Sequence, residues 1–196
     1  MSGKKRVAVL VSGRGSNMAA LIEAAGAPAY PAAIALVVSN VVDAPALARA
    51  TAAGVPAVAI ASAGKTRPAF EAALAAALEA ARIEIVCLAG FMRVLSPGFV
   101  ARRSGRLINI HPSLLPAFPG LDTHARALAA GAGRHGCTVH YVTAEVDAGP
   151  IIAQAAIEVR TGETVQSLAE RVLAEEHRLY PLALALVAGA APGAAI

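Results

Sequence analysis

Short β-branched runs alternate with longer alanine- and leucine-rich stretches along almost the whole chain, and this alternation restricts the fold more than any single motif does. Apolar runs of about four to eight residues suit strands, and periodic stretches of about ten or more suit helices. Strands are expected at Val7–Val11, Ile34–Ser39, Ala57–Ile60, Ile85–Leu88, Leu107–Ile110, Cys137–Val142 and Ile151–Val159. Helices are expected between them, at Asn17–Ala25, Ala44–Ala53, Pro68–Ala81, Pro97–Arg103, Thr123–Ala130 and Thr164–Val187. The pattern describes one α/β domain: a mostly parallel seven-stranded sheet with helices on both faces. Only the last two strands lack a helix between them, so the sheet should end in a hairpin or mixed pairing. Ligands of such sheets collect at the carboxyl ends of strands near the switch point, which directs attention to polar residues just after strands.

Composition decides whether the apolar stretches are membrane spans. The chain has 196 residues, 57% hydrophobic and 15% charged, and much of the apolar share is alanine. A chain this long buries roughly 70% of its unfolded surface as one domain. Two charge-free runs, Ala24–Val42 and Leu179–Ile196, are long enough to test as spans. The first is broken by Pro28, Pro31, Ser39 and Asn40, the second by Pro181, Gly189, Pro192 and Gly193, so neither is expected to cross a membrane. The basic start is followed by an apolar run of only Val7–Val11, shorter than the roughly 7–15 residues of a signal-peptide core, and a cytoplasmic setting is expected. Cys87 and Cys137 lie in apolar strands and should be reduced and buried. The net charge of +4 suits small anionic ligands, but the basic residues are scattered without interleaved aromatics, which argues against nucleic acid.

The first polar turn is "VLVSGRGSN", Val9–Asn17. Gly13 and Gly15 permit positive φ and close backbone approach, and Ser16 and Asn17 open a helix whose free N–H groups favour an anion. No Gly-Lys-Ser/Thr follows, so it is not a Walker loop; Met18 occupies the third glycine position of the dinucleotide fingerprint. The second strand ends in Ser39 and Asn40 rather than an acidic ribose ligand. A phosphate site and a plain βα turn capped by Ser and Asn both fit these residues.

The second is "INIHPSLLPAFPG", Ile108–Gly120. Strand side chains alternate faces, so Asn109 and His111 point the same way and can address one ligand. Asp147, in the loop after Cys137–Val142, reaches the imidazole if that strand neighbours the Asn/His strand. A carboxylate beside an imidazole favours its charged form, and an Asn amide adds a neutral donor. Together they can stabilise an oxyanion forming on a carbonyl, while Asp147 can hold a water that takes a proton from an attacking amine. No Gly-x-Ser-x-Gly elbow occurs, and direct acyl transfer fits better than a covalent intermediate. A structural histidine and an Asn serving the turn are the alternatives. His111, His124, His135 and His140 lack a two-histidine ligand spacing with a third partner, so no metal is expected.

Four segments in order, "VLVSGRGSN", "LAGFMRVLSP", "INIHPSLLPAFPG" and "VDAGPIIAQ", resemble the phosphoribosylglycinamide formyltransferase family, folate-dependent enzymes of purine synthesis, from about Val7 to Pro181. The resemblance implies a Rossmann-like formyltransferase fold, with a ribonucleotide phosphate-binding half at 1–100 and a catalytic and folate-binding half at 101–196. It implies that Asn109, His111 and Asp147 move a formyl group from 10-formyltetrahydrofolate, a co-substrate, to the amine of glycinamide ribonucleotide. It also implies that Gly15, Ser16 and Asn17 hold the phosphate and that Glu176 contacts the ribonucleotide. Met92, Arg93, Val94 and Leu95, with Thr143, Ala144, Glu145, Val146 and Asp147, would border the pteridine, and Arg67 would meet the anionic glutamate tail. For Glu176 the bland alternative is a solvated helix charge, and for Arg67 an exposed helix start. Implied partners are small molecules, without nucleic acid or membrane, for a monomer or weak homodimer.

Two positions depart from the family pattern. Asp122 in "GLDTH" stands where relatives often carry a His that supports the catalytic Asp, and Leu173 where some have a polar ribonucleotide contact. Formyltetrahydrofolate hydrolase and methionyl-tRNA formyltransferase share the Asn/His/Asp core but are expected to carry further domains. A non-catalytic nucleotide-binding domain would have no need of oxyanion donors.

Overall fold

The computed structural model describes residues 3–189. Seven strands form one sheet: β1 (Lys5–Val11), β2 (Ala32–Ser39), β3 (Ala57–Ala59), β4 (Ile85–Leu88), β5 (Leu107–His111), β6 (Arg134–Tyr141) and β7 (Ile151–Glu158). The helices are α1 (Ser16–Ala25), α2 (Pro45–Ala52), α3 (Arg67–Ala80), α4 (Pro97–Arg102), α5 (Thr123–Ala129) and α6 (Val165–Gly189). The strand order is β3-β2-β1-β4-β5-β6-β7. Pairing is parallel from β3 through β5 and antiparallel for β5 with β6 and β6 with β7. The chain runs outward from β1 to β3 and then returns to β4, which puts the switch point between β1 and β4.

Alternation along the strands divides the core into two layers. Val7, Val9, Val11, Cys87, Ile108 and Ile110 pack with Met18 and Leu21 of α1 and Leu168, Val172 and Tyr180 of α6. Ala8, Leu10, Val86, Leu88 and Leu107 pack with Phe70, Leu74 and Leu78 of α3 and Phe99 of α4. Both faces are covered, so each β-branched side chain loses its water, worth roughly 1.5–3 kcal/mol for a fully buried Val or Leu. Cys87 and Cys137 are free and buried, and desolvation pushes both thiols up to about 12.

The expected elements are all present, with shifted ends. The expected β6 starts at Cys137, yet pairing with β7 extends it back to Arg134. Gly136 lies so close to the Ala155 carbonyl that a Cβ would overlap its oxygen, a backbone approach that an apolar pattern cannot reveal. β5 runs one residue further than expected, to His111, because β6 supplies its ladder there. Pro181 sits inside α6 rather than ending it. Among the described residues no helix is long and apolar enough to cross a membrane; the end of the Leu179–Ile196 run, residues 190–196, lies outside them.

Candidate active site

Strand β5 delivers Asn109 and His111 to one face because Ile108 and Ile110 are committed to the opposite core layer. Antiparallel register then sets Asn109 against His140 and His111 against Thr138. Cross-strand partners point to the same side, so the pairing builds a polar patch from two strands. Thr138 donates its hydroxyl to the Ser113 carbonyl at 2.7 Å and accepts from the Leu115 N–H at 3.1 Å. Gln154 on β7 donates to both Thr138 and the Leu115 carbonyl at 2.9 Å. The proline-rich exit from β5 is thereby pinned to the hairpin.

Asp147 follows β6 in the loop to β7, with φ 55°. Its Oδ2 accepts the Gly120 N–H at 2.9 Å and lies 3.3 Å from His111 Nδ1. His111 Nε2 is 3.0 Å from the Phe118 carbonyl. Both ring nitrogens of the buried His111 therefore face oxygens that accept. Burial, the largest single influence on Asp147, pushes its pKa up; the neighbouring His140, the Gly120 N–H and the charge on His111 outweigh it, holding the carboxylate below its usual range.

His140 belongs to this cluster, although the sequence pattern singled it out only as a histidine without metal-ligand spacing. Its Nδ1 is 2.9 Å from the Tyr141 carbonyl, which accepts only, so Nδ1 carries the proton. Nε2 then accepts from Asn109 Nδ2 at 3.2 Å, which fixes which end of the Asn109 amide presents its N–H groups. The 3.6 Å from Nε2 to Asp147 Oδ1 is too long for a hydrogen bond. The signal that could have found His140 is its place two residues after Thr138 on a strand pairing with β5, but that needs the register.

The departure at Asp122 does not deprive Asp147 of support. Asp122 is exposed, adopts φ 57° at the start of α5, and among the described residues makes no hydrogen bond to Asp147. The Gly120 N–H and His111 hold the carboxylate instead. Below them His124 Nδ1 meets the fully buried His135 Nε2 at 3.1 Å, under the Phe118 ring. Desolvation, aided by His124 and His111, lowers His135 to about 4, so this ring is neutral at pH 7.

The glycine loop shows why Gly15 is required. It adopts φ 72°, and a Cβ there would lie 2.6 Å from that of Ala46. The first bond into α1 is Ala19 N–H to the Gly15 carbonyl, which leaves the N–H groups of Ser16, Asn17 and Met18 unclaimed within the helix. Arg49 braces the loop through the Arg14 carbonyl at 3.4 Å and, with His177, walls an open groove of about 490 Å³ beside Ser16. The Asn17 side chain turns inward: Nδ2 donates to Glu176 Oε2 at 2.7 Å, while Oδ1 is buried without a partner. Glu176 is therefore no solvated helix charge. It is buried, and desolvation, opposed by the Asn17 bond, raises its pKa.

The remaining sequence-marked residues are more exposed. Met92 and Val94 are 72% and 57% exposed, while Leu95 anchors the segment in the core. Arg93 lies over the Phe70 ring at 4.9 Å with its Nε buried and unpartnered. Ala144, Glu145 and Val146 are exposed, and Thr143 donates to the Glu145 carbonyl at 3.0 Å. Arg67 opens α3 and is exposed, and among the described residues its side chain makes no hydrogen bond, so the fold does not join it to the others. No group of histidines, cysteines and carboxylates able to hold a metal occurs among the described residues.

A model of the formyl transferase family matches residues 5–184. Phosphoribosylglycinamide formyltransferase of Escherichia coli is 45% identical over 91% of this chain and 84% of its own length. The trifunctional purine biosynthetic protein adenosine-3 of Bos taurus is 49% identical over 96% of the chain, which spans only 19% of that relative. A crystal structure of phosphoribosylglycinamide formyltransferase from Brucella melitensis superposes with a TM-score of 0.91 at 52% identity, covering 96% of this chain and 97% of the other. Glycinamide ribonucleotide transformylase 1 from Symbiobacterium toebii gives 0.92 at 47%, covering 96% and 89%. Sequence and fold agree over nearly the same residues, those that carry the Asn/His/Asp cluster and the glycine loop, and the chain belongs to the formyl transferase family.

Proposed function

We propose that this protein transfers a formyl group from 10-formyltetrahydrofolate to the amine of 5'-phosphoribosylglycinamide, giving the formylated ribonucleotide and tetrahydrofolate in de novo purine synthesis. The observation that carries the reading is the convergence of Asn109 and His111, from one strand, with Asp147, from a loop, on one largely buried polar patch.

In this reading the amine attacks the formyl carbon and a tetrahedral oxyanion forms. Asn109 offers the N–H that His140 does not occupy. His111 offers Nδ1–H, whose 3.3 Å contact with Asp147 is long for a charged hydrogen bond and can be shared with an incoming oxygen. Asp147, kept ionised, takes the amine proton through a water, and collapse releases the folate N10 with a proton returned. No enzyme-bound acyl group is needed, which suits cysteines that are buried and neutral.

The ribonucleotide phosphate meets the backbone N–H groups of Gly15, Ser16 and Asn17 rather than the Asn17 amide, which is tied to Glu176. Glu176 and the free Asn17 Oδ1 are acceptors and take sugar hydroxyls. Met92–Leu95 and Thr143–Asp147 border the pteridine, with Arg93 and Arg67 toward the anionic tail. The 1–100 and 101–196 halves divide phosphate binding from catalysis, with the Asn17–Glu176 bond crossing between them. Both substrates are small molecules, and the reading takes a cytoplasmic monomer or weak homodimer with no metal, nucleic acid or membrane partner. Consumption of formyltetrahydrofolate should require the ribonucleotide. Equal consumption without that acceptor would make the protein a formyltetrahydrofolate hydrolase.

A further inference from the structure

The carboxyl ends of four neighbouring strands are joined by a side-chain relay that the catalytic chemistry does not use. Ser12 follows β1, Asn40 follows β2, Ser62 lies just past β3, and Met92 lies just past β4. The Met92 N–H donates to Ser12 Oγ at 2.8 Å, and that hydroxyl donates onward to Asn40 Oδ1 at 2.5 Å. Asn40 Nδ2 donates to Ser62 Oγ at 3.1 Å, and the Ser62 N–H returns to the Asn40 carbonyl at 3.0 Å. Each hydroxyl is polarised by the bond before it, so the chain is directional and its links strengthen one another.

Two further contacts bring the relay onto the same short segment. The Ser12 N–H donates to the Gly90 carbonyl at 3.1 Å, and Arg93 reaches the Ser62 carbonyl at 3.5 Å. Regular pairing of β4 with β1 ends at Leu88, and beyond it the backbones are joined by the Ala89 N–H to Leu10 and the Ser12 N–H to Gly90. Phe91 stacks on Phe70 and Leu95 is buried, so apolar packing holds the two flanks of the segment, while the exposed Met92 and Val94 leave the backbone between them without it. At Met92 a hydrogen bond supplies the anchor, and it comes from the residue directly before the glycine loop.

We propose that Ser12 and Asn40, with Ser62 behind them, are positioning residues that set the backbone of Met92–Leu95 for binding the formyl donor. The inference rests on the formyl-transfer reading for what that segment binds. Ser12 keeps its backbone bond to Gly90 when its hydroxyl is removed, so Ser12→Ala deletes the relay while leaving the glycine-loop backbone attached.

The test pairs amide hydrogen exchange at Met92 with steady-state kinetics for both substrates in wild type, Ser12→Ala, Ser12→Thr and Asn40→Ala. Ser12→Ala should speed Met92 exchange and raise the formyltetrahydrofolate KM, each roughly five- to tenfold, the factor for one lost hydrogen bond. The ribonucleotide KM should stay within about twofold, and Ser12→Thr, which keeps the hydroxyl, should restore both values. Asn40→Ala should follow Ser12→Ala in direction. Unchanged Met92 exchange and folate KM in Ser12→Ala, or an equal rise in both KM values, would overturn the proposal. A wild-type protein that fails to formylate the ribonucleotide would instead sink the activity, while Met92 exchange still reads the anchor itself.

Discussion

The two ends of the sheet solve binding and chemistry with different materials. On the parallel side, β1 to β4, the functional surface is mostly backbone: the free N–H groups of α1, the left-handed Gly15 and the Met92 amide held by Ser12. On the antiparallel side, β5 to β7, it is side chains: Asn109, His111 and His140 in register, with Asp147 closing from the loop. Parallel strands end together at one edge of the sheet and present helix N-termini there, which favours anions. Antiparallel neighbours interleave side chains across the ladder at short spacing, which favours a proton-handling cluster. The contrast predicts that damage on one side should strike turnover and damage on the other should strike substrate binding.

The sharpest break should come from His111→Ala or Asp147→Asn. Each should lower kcat by roughly 10²–10⁴, the range for a lost oxyanion donor or general base, while ribonucleotide affinity by calorimetry stays near wild type. Affinity falling in step with rate would make the two residues structural. On the other side, Glu176→Ala leaves the Asn17 amide without its partner and should raise the ribonucleotide KM about 10–100-fold with a smaller change in kcat. His140→Leu frees the Asn109 amide to rotate and should cost about tenfold in kcat at unchanged KM values, checked by steady-state assay.

The smallest effect is on stability, and its sign differs between the ends. His135 binds its proton near pH 4 when folded and near 6.5 when unfolded. Its contribution is complete above pH 6.5 and is lost as pH falls toward 4, so His135→Gln should flatten the denaturation midpoint across that window. Glu176 works oppositely. Its folded pKa is raised above 4.5, so stability falls as pH rises through the interval above that value, and Glu176→Gln should remove the decline in urea titrations.

Much of this molecule is legible from local pattern. Valine and isoleucine runs mark strands because each residue's burial on both faces depends on its own side chain. Ile108 and Ile110 going one way sends Asn109 and His111 the other, a consequence of period two alone. The Gly15 turn is equally local, since positive φ is a property of one residue. Asp147 stood out as a carboxylate in the loop after a strand; the family resemblance added Glu176, and Asp122 stood out as a departure because a motif is compared position by position.

Only the tertiary structure decided how those pieces meet. Asn17 and Glu176 are 159 residues apart in the chain, and Ser12 and Met92 are 80 apart. Neither distance nor burial can be read from periodicity, which repeats within one element and carries no strand order. His140 became a partner of Asn109 only through antiparallel register, and the Gly120 N–H became a partner of Asp147 only through the loop packing of the fold. The sequence determined which way each side chain faces, because that is set by backbone geometry within a few residues; the fold decided which charges and amides share a site, because that depends on how separate strands are ordered and aligned.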